Sequence, residues 1–362
     1  MAIWIGNWLG RKRAVMLGTS IIGIGAVGQT TSFGLTQFIV TRVITGLGTG
    51  INTSIIPTWQ SETAKPHHRG RMVMIETSLV VFGVMLANYI DLGCLFLEPS
   101  SISCKQPILP LMIVLALPIL VIVPFLPESP RWLIIKGKEA DALAFFSALW
   151  DLSPDNPRIQ DEMESIKHAR DEASESGFMA CFRRNRNRNL HRTVLAYVSM
   201  VAQQLTGINI VTYYAATIYQ TSIGMSPLVS RIVAAAGATE YFLANCVSIL
   251  LIERLGRRKL LLIGAFGQAI AMAVLAGLIS HLNMATGITA AVYIFLYSSA
   301  FALGWGNIPW LFGAELAPLV IRAPSAAIAT TGGWLFNFLV VIITPTAFNN
   351  IGWKTYIIFA IL

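Results

Sequence analysis

Charged residues are scarce in this sequence: Asp, Glu, Lys and Arg make up 12% of its 362 residues, whereas hydrophobic residues make up 55%. Soluble domains contain about 25% charged residues, and a soluble fold could not bury this much apolar surface. The composition therefore excludes an ordinary soluble domain.

Cysteines and catalytic patterns are also scarce. The four cysteines show no metal-ligand spacing, and no nucleophile–base set is visible. We therefore expect no enzyme activity, no metal and no cofactor. Cys94 and Cys104 flank the same loop, and two free thiols are favoured there over a disulfide.

The apolar residues that are present occur in runs long enough to cross a bilayer as a helix, which takes about 20 residues. Nine runs are complete, and a tenth begins near Trp353 and stops at Leu362. The sequence therefore predicts an all-α, multi-pass integral membrane protein. The nine complete runs are 14–33, 38–60, 72–93, 108–126, 193–220, 229–252, 260–280, 289–313 and 325–346.

The basic residues lie on one predicted side of the membrane. Of the 26 Lys and Arg residues, 22 fall on alternate connections between spans, and the exceptions are Arg42, Lys105, Arg231 and Lys354. Because cytoplasmic connections carry the excess of Lys and Arg, the long polar linker is predicted to be cytoplasmic. The net charge of +8 is explained by this topology and by contact with lipid headgroups, without a nucleic acid partner. The plasma membrane is the expected location.

Two motifs recur in the same order. Leu9 to Arg13 matches Leu255 to Lys259 at an offset of 246, and an acidic residue is followed seven positions later by arginine at both Glu62 and Glu315. Such a repeat is typical of transporters built from two similar halves. The predicted domains are an incomplete N-terminal helical bundle at 1–126, a linker with short helices at 127–191 and a C-terminal bundle at 192–362. The offset predicts that the first half lacks about 54 residues at its start, that is, one span and most of another. The run that stops at Leu362 predicts that the last span is cut.

Several motifs stand in order along the chain. They are Gly6 to Arg13, Pro127-Glu128-Ser129-Pro130-Arg131-Trp132-Leu133, Gln203-Gln204-Leu205-Thr206-Gly207-Ile208-Asn209 with Tyr213-Tyr214, Glu253 to Arg258, and Pro309-Trp310 with Glu315 and Arg322. Together they resemble the sugar porter family of the major facilitator superfamily, with a fungal hexose-transporter or lactose-permease character. The resemblance covers essentially the whole chain and implies the major facilitator fold, with two pseudo-symmetric six-helix bundles.

The predicted span at 193–220 carries polar side chains suited to a sugar. Amides both donate and accept hydrogen bonds, as sugar hydroxyls do, and aromatic rings cover the apolar face of a sugar. Hydrogen bonding between neighbouring helices is the alternative role for these groups. The resemblance adds two residues from later spans, so the predicted substrate-binding set is Gln203, Gln204, Asn209, Tyr213, Trp310 and Asn337.

Glutamates and arginines recur at the predicted cytoplasmic ends of spans. An ion pair worth about 1 kcal/mol can bias a two-state equilibrium, and the resemblance implies a latch that holds the outward-facing state. Topology anchoring by the arginines alone is the alternative. The predicted gating and salt-bridge residues are Arg42, Glu62, Arg69, Glu128, Arg131, Glu253, Arg257, Arg258, Glu315 and Arg322.

The predicted function is a secondary transporter that moves a mono- or disaccharide by alternating access, either as a proton symporter or by facilitated diffusion. A sugar receptor that does not transport and an inactive truncated product are the alternatives. Thr77, Ala302, Tyr241 and Gly333 stand where the family has other residues at its usual sugar contacts, which leaves the identity of the sugar open. The role of Glu240, an acidic residue within a span, and the oligomeric state also stay open.

Overall fold

The computed structural model describes residues 2–65, 69–94, 96, 108–176, 178–183, 188–281, 283–318 and 321–362. The described residues form helices and connecting turns, and no strand occurs among them, which confirms the all-α prediction. In chain order the helices are α1 (Ala2–Leu9), α2 (Arg11–Thr30), α3 (Leu35–Thr63), α4 (Arg69–Cys94), α5 (Ile108–Ile122), α6 (Pro130–Ile135), α7 (Glu139–Trp150), α8 (Pro157–Ser176), α9 (Asn189–Leu205), α10 (Ile208–Thr217), α11 (Pro227–Leu255), α12 (Arg257–Ser280), α13 (Met284–Leu303), α14 (Ile308–Glu315), α15 (Arg322–Ile351) and α16 (Lys354–Ile361).

Seven helical segments within the described ranges are long and apolar enough to cross a membrane, and each coincides with a predicted span. Two predicted spans fall short of that standard. The run at 108–126 contains α5, and its apolar helical part, Met112–Phe125, is shorter than the seven segments. The run at 14–33 forms the 20-residue helix α2, in which glycine, serine and threonine dilute the apolar residues. The seven segments are Leu35–Thr63, Gly70–Cys94, Asn189–Thr221, Pro227–Leu255, Arg257–Ser280, Ala285–Gly313 and Arg322–Ile351.

The distribution of polar and apolar side chains is inverted relative to a soluble protein. Asn245 and Ser248 are fully buried between helices, whereas 64% of Leu250 and 71% of Phe266 are exposed. Soluble proteins bury leucine and phenylalanine and expose asparagine and serine. Small and polar residues between helices, with apolar residues pointing outward, are typical of helices that face lipid. The chain is an integral, multi-pass membrane protein.

The chain divides into two compact units that do not follow the predicted boundaries at 126 and 191, which remain a prediction. Unit 1 comprises Met1–Met72, Lys105–Leu195 and Gly313–Thr330, and unit 2 comprises Val73–Cys104, Ala196–Phe312 and Thr331–Leu362.

In unit 1, helices α2 and α3 pack closely because small residues face each other. A Cβ atom added at Gly48 would lie 2.5 Å from the carbonyl oxygen of Gly18, so only glycine permits this approach. Also in unit 1, helices α6, α7 and α8 share a small apolar core around Ile134, Phe146 and Ile159.

In unit 2, two candidate spans are each interrupted by a short turn. The first turn, at Thr206 and Gly207, separates α9 from α10, and Gly207 has a φ of +88°. The second turn lies between the end of α13 at Leu303 and the start of α14 at Ile308. An interrupted membrane helix exposes backbone groups that lack intrahelical partners, so side chains must satisfy them.

Candidate functional site

The turn between α9 and α10 places the amides of the segment Asn189–Thr221 next to one another. Gln203 and Gln204 belong to the last turn of α9, and Asn209 is the second residue of α10. Gly207 is required between them because of its positive φ and because a Cβ there would lie 2.9 Å from the ring of Phe359. All three amides are buried.

Four predicted substrate residues, Gln203, Gln204, Asn209 and Asn337, form one hydrogen-bonded group that we call the amide cluster. The Oε1 atom of Gln204 accepts from Asn209 Nδ2 at 2.8 Å and from Asn337 Nδ2 at 3.3 Å. Asn337 Nδ2 also donates to Asn209 Oδ1 at 2.9 Å, and Gln204 Nε2 donates to Gln203 Oε1 at 3.2 Å. The cluster joins α9, α10 and α15, so its members act as a unit.

The amide cluster is also attached to the second helix interruption. Gln203 Nε2 donates to the carbonyl oxygens of Trp305 at 2.7 Å and Gly306 at 3.0 Å. In the opposite direction, the Tyr297 hydroxyl on α13 donates to the carbonyl oxygen of Thr206 at 2.8 Å. Each interrupted helix therefore satisfies free carbonyl groups of the other. Sequence reasoning missed this bracing, although the Gly304-Trp305-Gly306-Asn307 run is a signal of a turn.

The two aromatic members of the predicted set lie apart from this hydrogen-bonded group. Tyr213 is 57% exposed, and Trp310 packs in an apolar cluster with Ile252 and Leu260. In the part of the chain that the structure describes, neither residue is hydrogen-bonded to the amide cluster. Their assignment to the sugar site remains a prediction.

A buried ion pair lies at the end of α3 in unit 1. Arg11 Nε donates to Glu62 Oε2 at 3.0 Å, and a second guanidinium nitrogen donates to Glu62 Oε1 at 3.2 Å. The two side chains are only 5% and 4% exposed. The Ser129 hydroxyl also donates to Glu62 Oε2, at 2.6 Å. Arg11 and Ser129 were quoted as parts of motifs, but the sequence did not identify them as the partners of Glu62.

Glu128 holds the start of α2 against the segment that precedes α6. Its Oε1 atom accepts from the backbone N–H of Arg11 at 3.0 Å and of Lys12 at 3.3 Å. A carboxylate at this position satisfies free N–H groups of a helix start and interacts favourably with the positive end of the helix dipole. Two separate sequence motifs are thereby joined.

Arg131 and Arg322 line one cavity together with Glu62, Trp150 and Glu162. Burial lowers the pKa of the Arg131 guanidinium, whereas the negative charge of Glu62 raises it. Arginine stays charged through such opposing effects, so Glu62 faces positive charge from both Arg11 and Arg131. We call Arg11, Glu62, Glu128, Ser129 and Arg131 the arginine–glutamate network.

The remaining predicted gating residues lie on surfaces or outside the described side chains. Arg42 is exposed, and its guanidinium lies 5.1 Å from the centre of the Phe38 ring. Glu253, Arg257, Arg258 and Glu315 are exposed. The side chain of Arg69 lies outside the described residues, as does Cys104, so the Glu62–Arg69 proximity and the alternatives for Cys94 and Cys104 remain predictions.

Comparison with known proteins gives a consistent result. The sequence profile of the family described as sugar (and other) transporter matches residues 1–362. The sugar transporter STL1 of Saccharomyces cerevisiae is 37% identical over 99% of this chain, and the high glucose sensor RGT2 of the same yeast is 32% identical over 95%. The chain spans 64% of the length of STL1 and 46% of the length of RGT2.

The fold matches that of a solved membrane transporter. The proton:xylose symporter XylE, in a structure with bound 6-bromo-6-deoxy-D-glucose, superimposes with a TM-score of 0.84 and 24% sequence identity. The match covers 99% of this chain and 79% of XylE. At this identity the similarity establishes the fold, which is the major facilitator fold predicted from the motifs.

Proposed function

Because the chain belongs to the sugar (and other) transporter family of the major facilitator superfamily, we propose that it moves a mono- or disaccharide across a membrane by alternating access. The observation that carries the proposal is the buried amide cluster beside two interrupted helices. Interrupted helices at membrane depth are typical of transporter binding sites.

The chemistry of the cluster suits a polyhydroxylated substrate. The amides of Gln204, Asn209 and Asn337 are hydrogen-bonded to one another. Sugar hydroxyls donate and accept in the same way, so a sugar can replace these bonds without leaving an amide unsatisfied. The similarity to STL1, a sugar transporter, and to XylE, a proton:xylose symporter, supports this substrate class.

The arginine–glutamate network supplies a means of favouring one conformation. A buried ion pair with additional hydrogen bonds is costly to break, because separation leaves uncompensated buried charge. We propose that this network stabilises one of the two access states. The linker at 127–191 on the cytoplasmic side and residence in the plasma membrane belong to the same proposal, supported by the alternation of basic residues.

Uptake by the purified chain in liposomes tests the proposal. Liposomes loaded with unlabelled D-glucose, D-xylose or lactose would be diluted into the corresponding radiolabelled sugar, and counterflow would be measured. We expect saturable accumulation of at least one of the three sugars. Saturable binding without counterflow would instead establish a receptor, in keeping with the sensor RGT2, and the absence of both would contradict the proposal.

A further inference from the structure

The helices that are long and apolar enough to cross a membrane carry five carboxyl side chains among their described residues. Glu62 is paired with Arg11, and Asp91 lies 3.7 Å from Arg231. Glu253 is exposed in the last turn of α11. Glu76 and Glu240 therefore stand apart, because each has a buried Oε2 atom without a hydrogen-bond partner in the described part of the chain.

Glu240 differs from Glu76 in its position and in its partner. Glu240 lies near the middle of the 29-residue helix α11, whereas Glu76 lies about two turns from the start of α4. The Oε1 atom of Glu240 is hydrogen-bonded to the hydroxyl of Ser299 on α13, a neighbouring helix. A second helix therefore provides Glu240 with a hydroxyl that can both donate and accept.

No cation faces Glu240 in the described residues. The titratable neighbours are the phenol of Tyr219, from the π-helical turn that follows α10, and Tyr241 on its own helix. One residue before Glu240, the Thr239 hydroxyl is hydrogen-bonded to Tyr89 of α4 at 3.0 Å. The nearest described charge pair on this helix, Arg231 with Asp91, lies more than two turns away along α11.

These surroundings favour a neutral carboxyl group. An ionised carboxylate deep in a membrane is stabilised only by a positive partner or by several hydrogen-bond donors, and Glu240 has a single hydroxyl. In the protonated form, the Glu240 O–H can donate to Ser299 Oγ. In the ionised form, the Ser299 O–H can donate to the carboxylate. The pair can therefore bind and release one proton without rearranging the two helices.

We propose that Glu240, with Ser299 as its hydrogen-bond partner, is a proton-binding site, so that a proton is the co-substrate of this chain. The proton would enter from water on one side, reside on the Glu240 carboxyl and leave to water on the other side. This inference rests on the proposed sugar transport for its coupling, but the proton site itself does not require it.

A short structural route connects the proton site to the amide cluster. Ser299 and Tyr297 lie two residues apart on α13, and the Tyr297 hydroxyl donates to the Thr206 carbonyl beside the cluster. Helix α13 therefore contacts both Glu240 and the helix interruptions of unit 2, so a movement of α13 during the transport cycle would change the surroundings of both. Glu240, Ser299 and the amide cluster all belong to unit 2.

Chemical modification tests the proton site without transport. Dicyclohexylcarbodiimide adds to protonated carboxyl groups in apolar surroundings, and peptide mass spectrometry identifies the modified residue. In the purified chain at neutral pH we expect modification at Glu240, its loss in Glu240→Gln and its retention in Glu240→Asp. We also expect Ser299→Ala to change the pH profile of modification. The absence of modification at Glu240 from acidic to neutral pH would overturn the proton site.

Sugar-driven proton uptake tests the coupling. Weakly buffered proteoliposomes would receive D-glucose, D-xylose or lactose while the external pH is recorded, and counterflow of the same sugar would be measured in parallel. We expect alkalinisation with the unmodified chain, and its fall to the level of empty liposomes in Glu240→Gln while counterflow continues. Glu76→Gln is the matched variant and should retain proton uptake.

The outcomes separate the two proposals. If the unmodified chain shows no counterflow, sugar transport fails, and the modification experiment still decides the proton site. If counterflow proceeds but Glu240→Gln retains full proton uptake, or if only Glu76→Gln abolishes it, Glu240 is not the proton-binding group.

Discussion

At the residue scale, the amide cluster depends on a few side chains whose spacing was visible in the sequence but whose partners were not. Gln203, Gln204 and Asn209 were predicted to contact a sugar, and they lie in one hydrogen-bonded group that Asn337 joins from α15. Their role in sugar binding stays a prediction. Amides between membrane helices can stabilise helix packing, bind a ligand or do both. Substitution of one amide separates these roles.

Gln204→Ala should abolish or greatly weaken sugar binding while membrane insertion is retained. Gln204 accepts from both asparagines, so its loss removes a sugar contact and also releases two donors. The Gln204 amide has a donor and an acceptor for sugar hydroxyls, and two lost contacts to the sugar at about 1 kcal/mol each predict an affinity at least about tenfold weaker. Equilibrium binding and counterflow of the sugar that the unmodified chain accepts would measure this loss.

Gln268→Ala is the matched control for that experiment. Gln268 is also a buried glutamine in unit 2, but it donates to the Gly264 carbonyl of its own helix at 3.0 Å. Its substitution should leave sugar affinity near that of the unmodified chain. Normal affinity in Gln204→Ala would remove the amide cluster from the proposed function.

At the element scale, the two interrupted helices of unit 2 stabilise each other through Gln203 and Tyr297. Tyr297→Phe should remove the bond to the Thr206 carbonyl and destabilise the chain by about 1 kcal/mol, since hydrogen bonds between membrane helices contribute about 0.6–2 kcal/mol. Thermal unfolding in detergent, followed by tryptophan fluorescence, would measure the change. Tyr293→Phe, one turn earlier on α13, is the control, because no described residue is hydrogen-bonded to its hydroxyl.

A double-mutant cycle would reveal whether the two braces act together. If they are coupled, Gln203→Leu combined with Tyr297→Phe should cost less than the sum of the single changes, since either change already loosens both turns. Strict additivity would show that each turn is held independently.

The close packing of α2 against α3 depends on glycine. Gly48→Val should destabilise unit 1 by about 1–3 kcal/mol, because its side chain would overlap the Gly18 carbonyl and the Ile22 side chain. Gly46→Ala lies on the same helix, with no atom within 4 Å of the added Cβ, and should be neutral or stabilising. Equal stability of the two variants in thermal unfolding would contradict the close packing described here.

At the scale of the whole molecule, the arginine–glutamate network is the candidate device for biasing the transport cycle. Glu62→Gln leaves the buried Arg11 and Arg131 without their compensating charge, a loss that typically costs about 3–5 kcal/mol. If the network stabilises one access state, turnover should fall more than sugar affinity. Counterflow rate compared with equilibrium sugar binding would show this separation.

Another glutamate that forms an ion pair, but on an exposed surface, provides the control. Glu139 pairs with Lys167 at 2.7 Å, but the two side chains are 46% and 36% exposed. Exposed pairs contribute little, so Glu139→Gln should transport normally. A parallel fall in affinity and turnover in Glu62→Gln would indicate general destabilisation and contradict a role in the cycle.

The sequence alone determined that the chain is helical and crosses a membrane. The thickness of a bilayer requires long apolar runs, and such runs are recognised in a sequence without knowledge of tertiary contacts. It also determined the family, since the motif strings are specific, and it showed that the amides lie within one span, at 193–220. It could not pair Glu62 with Arg11, since the two residues are 51 positions apart and arginines closer in sequence were equally eligible.

Only the tertiary structure decided which groups satisfy one another. The donors of Gln203 reach the backbone of a turn 102 residues away, a partner that no sequence pattern indicated. The sequence left the role of Glu240 open, and the structure shows that its carboxyl group is hydrogen-bonded to Ser299. Ser299 lies on a helix that no local sequence pattern could select. The physical reason is the same in each case: hydropathy is a property of single residues, whereas hydrogen bonding inside an apolar bundle is a property of pairs brought together by packing.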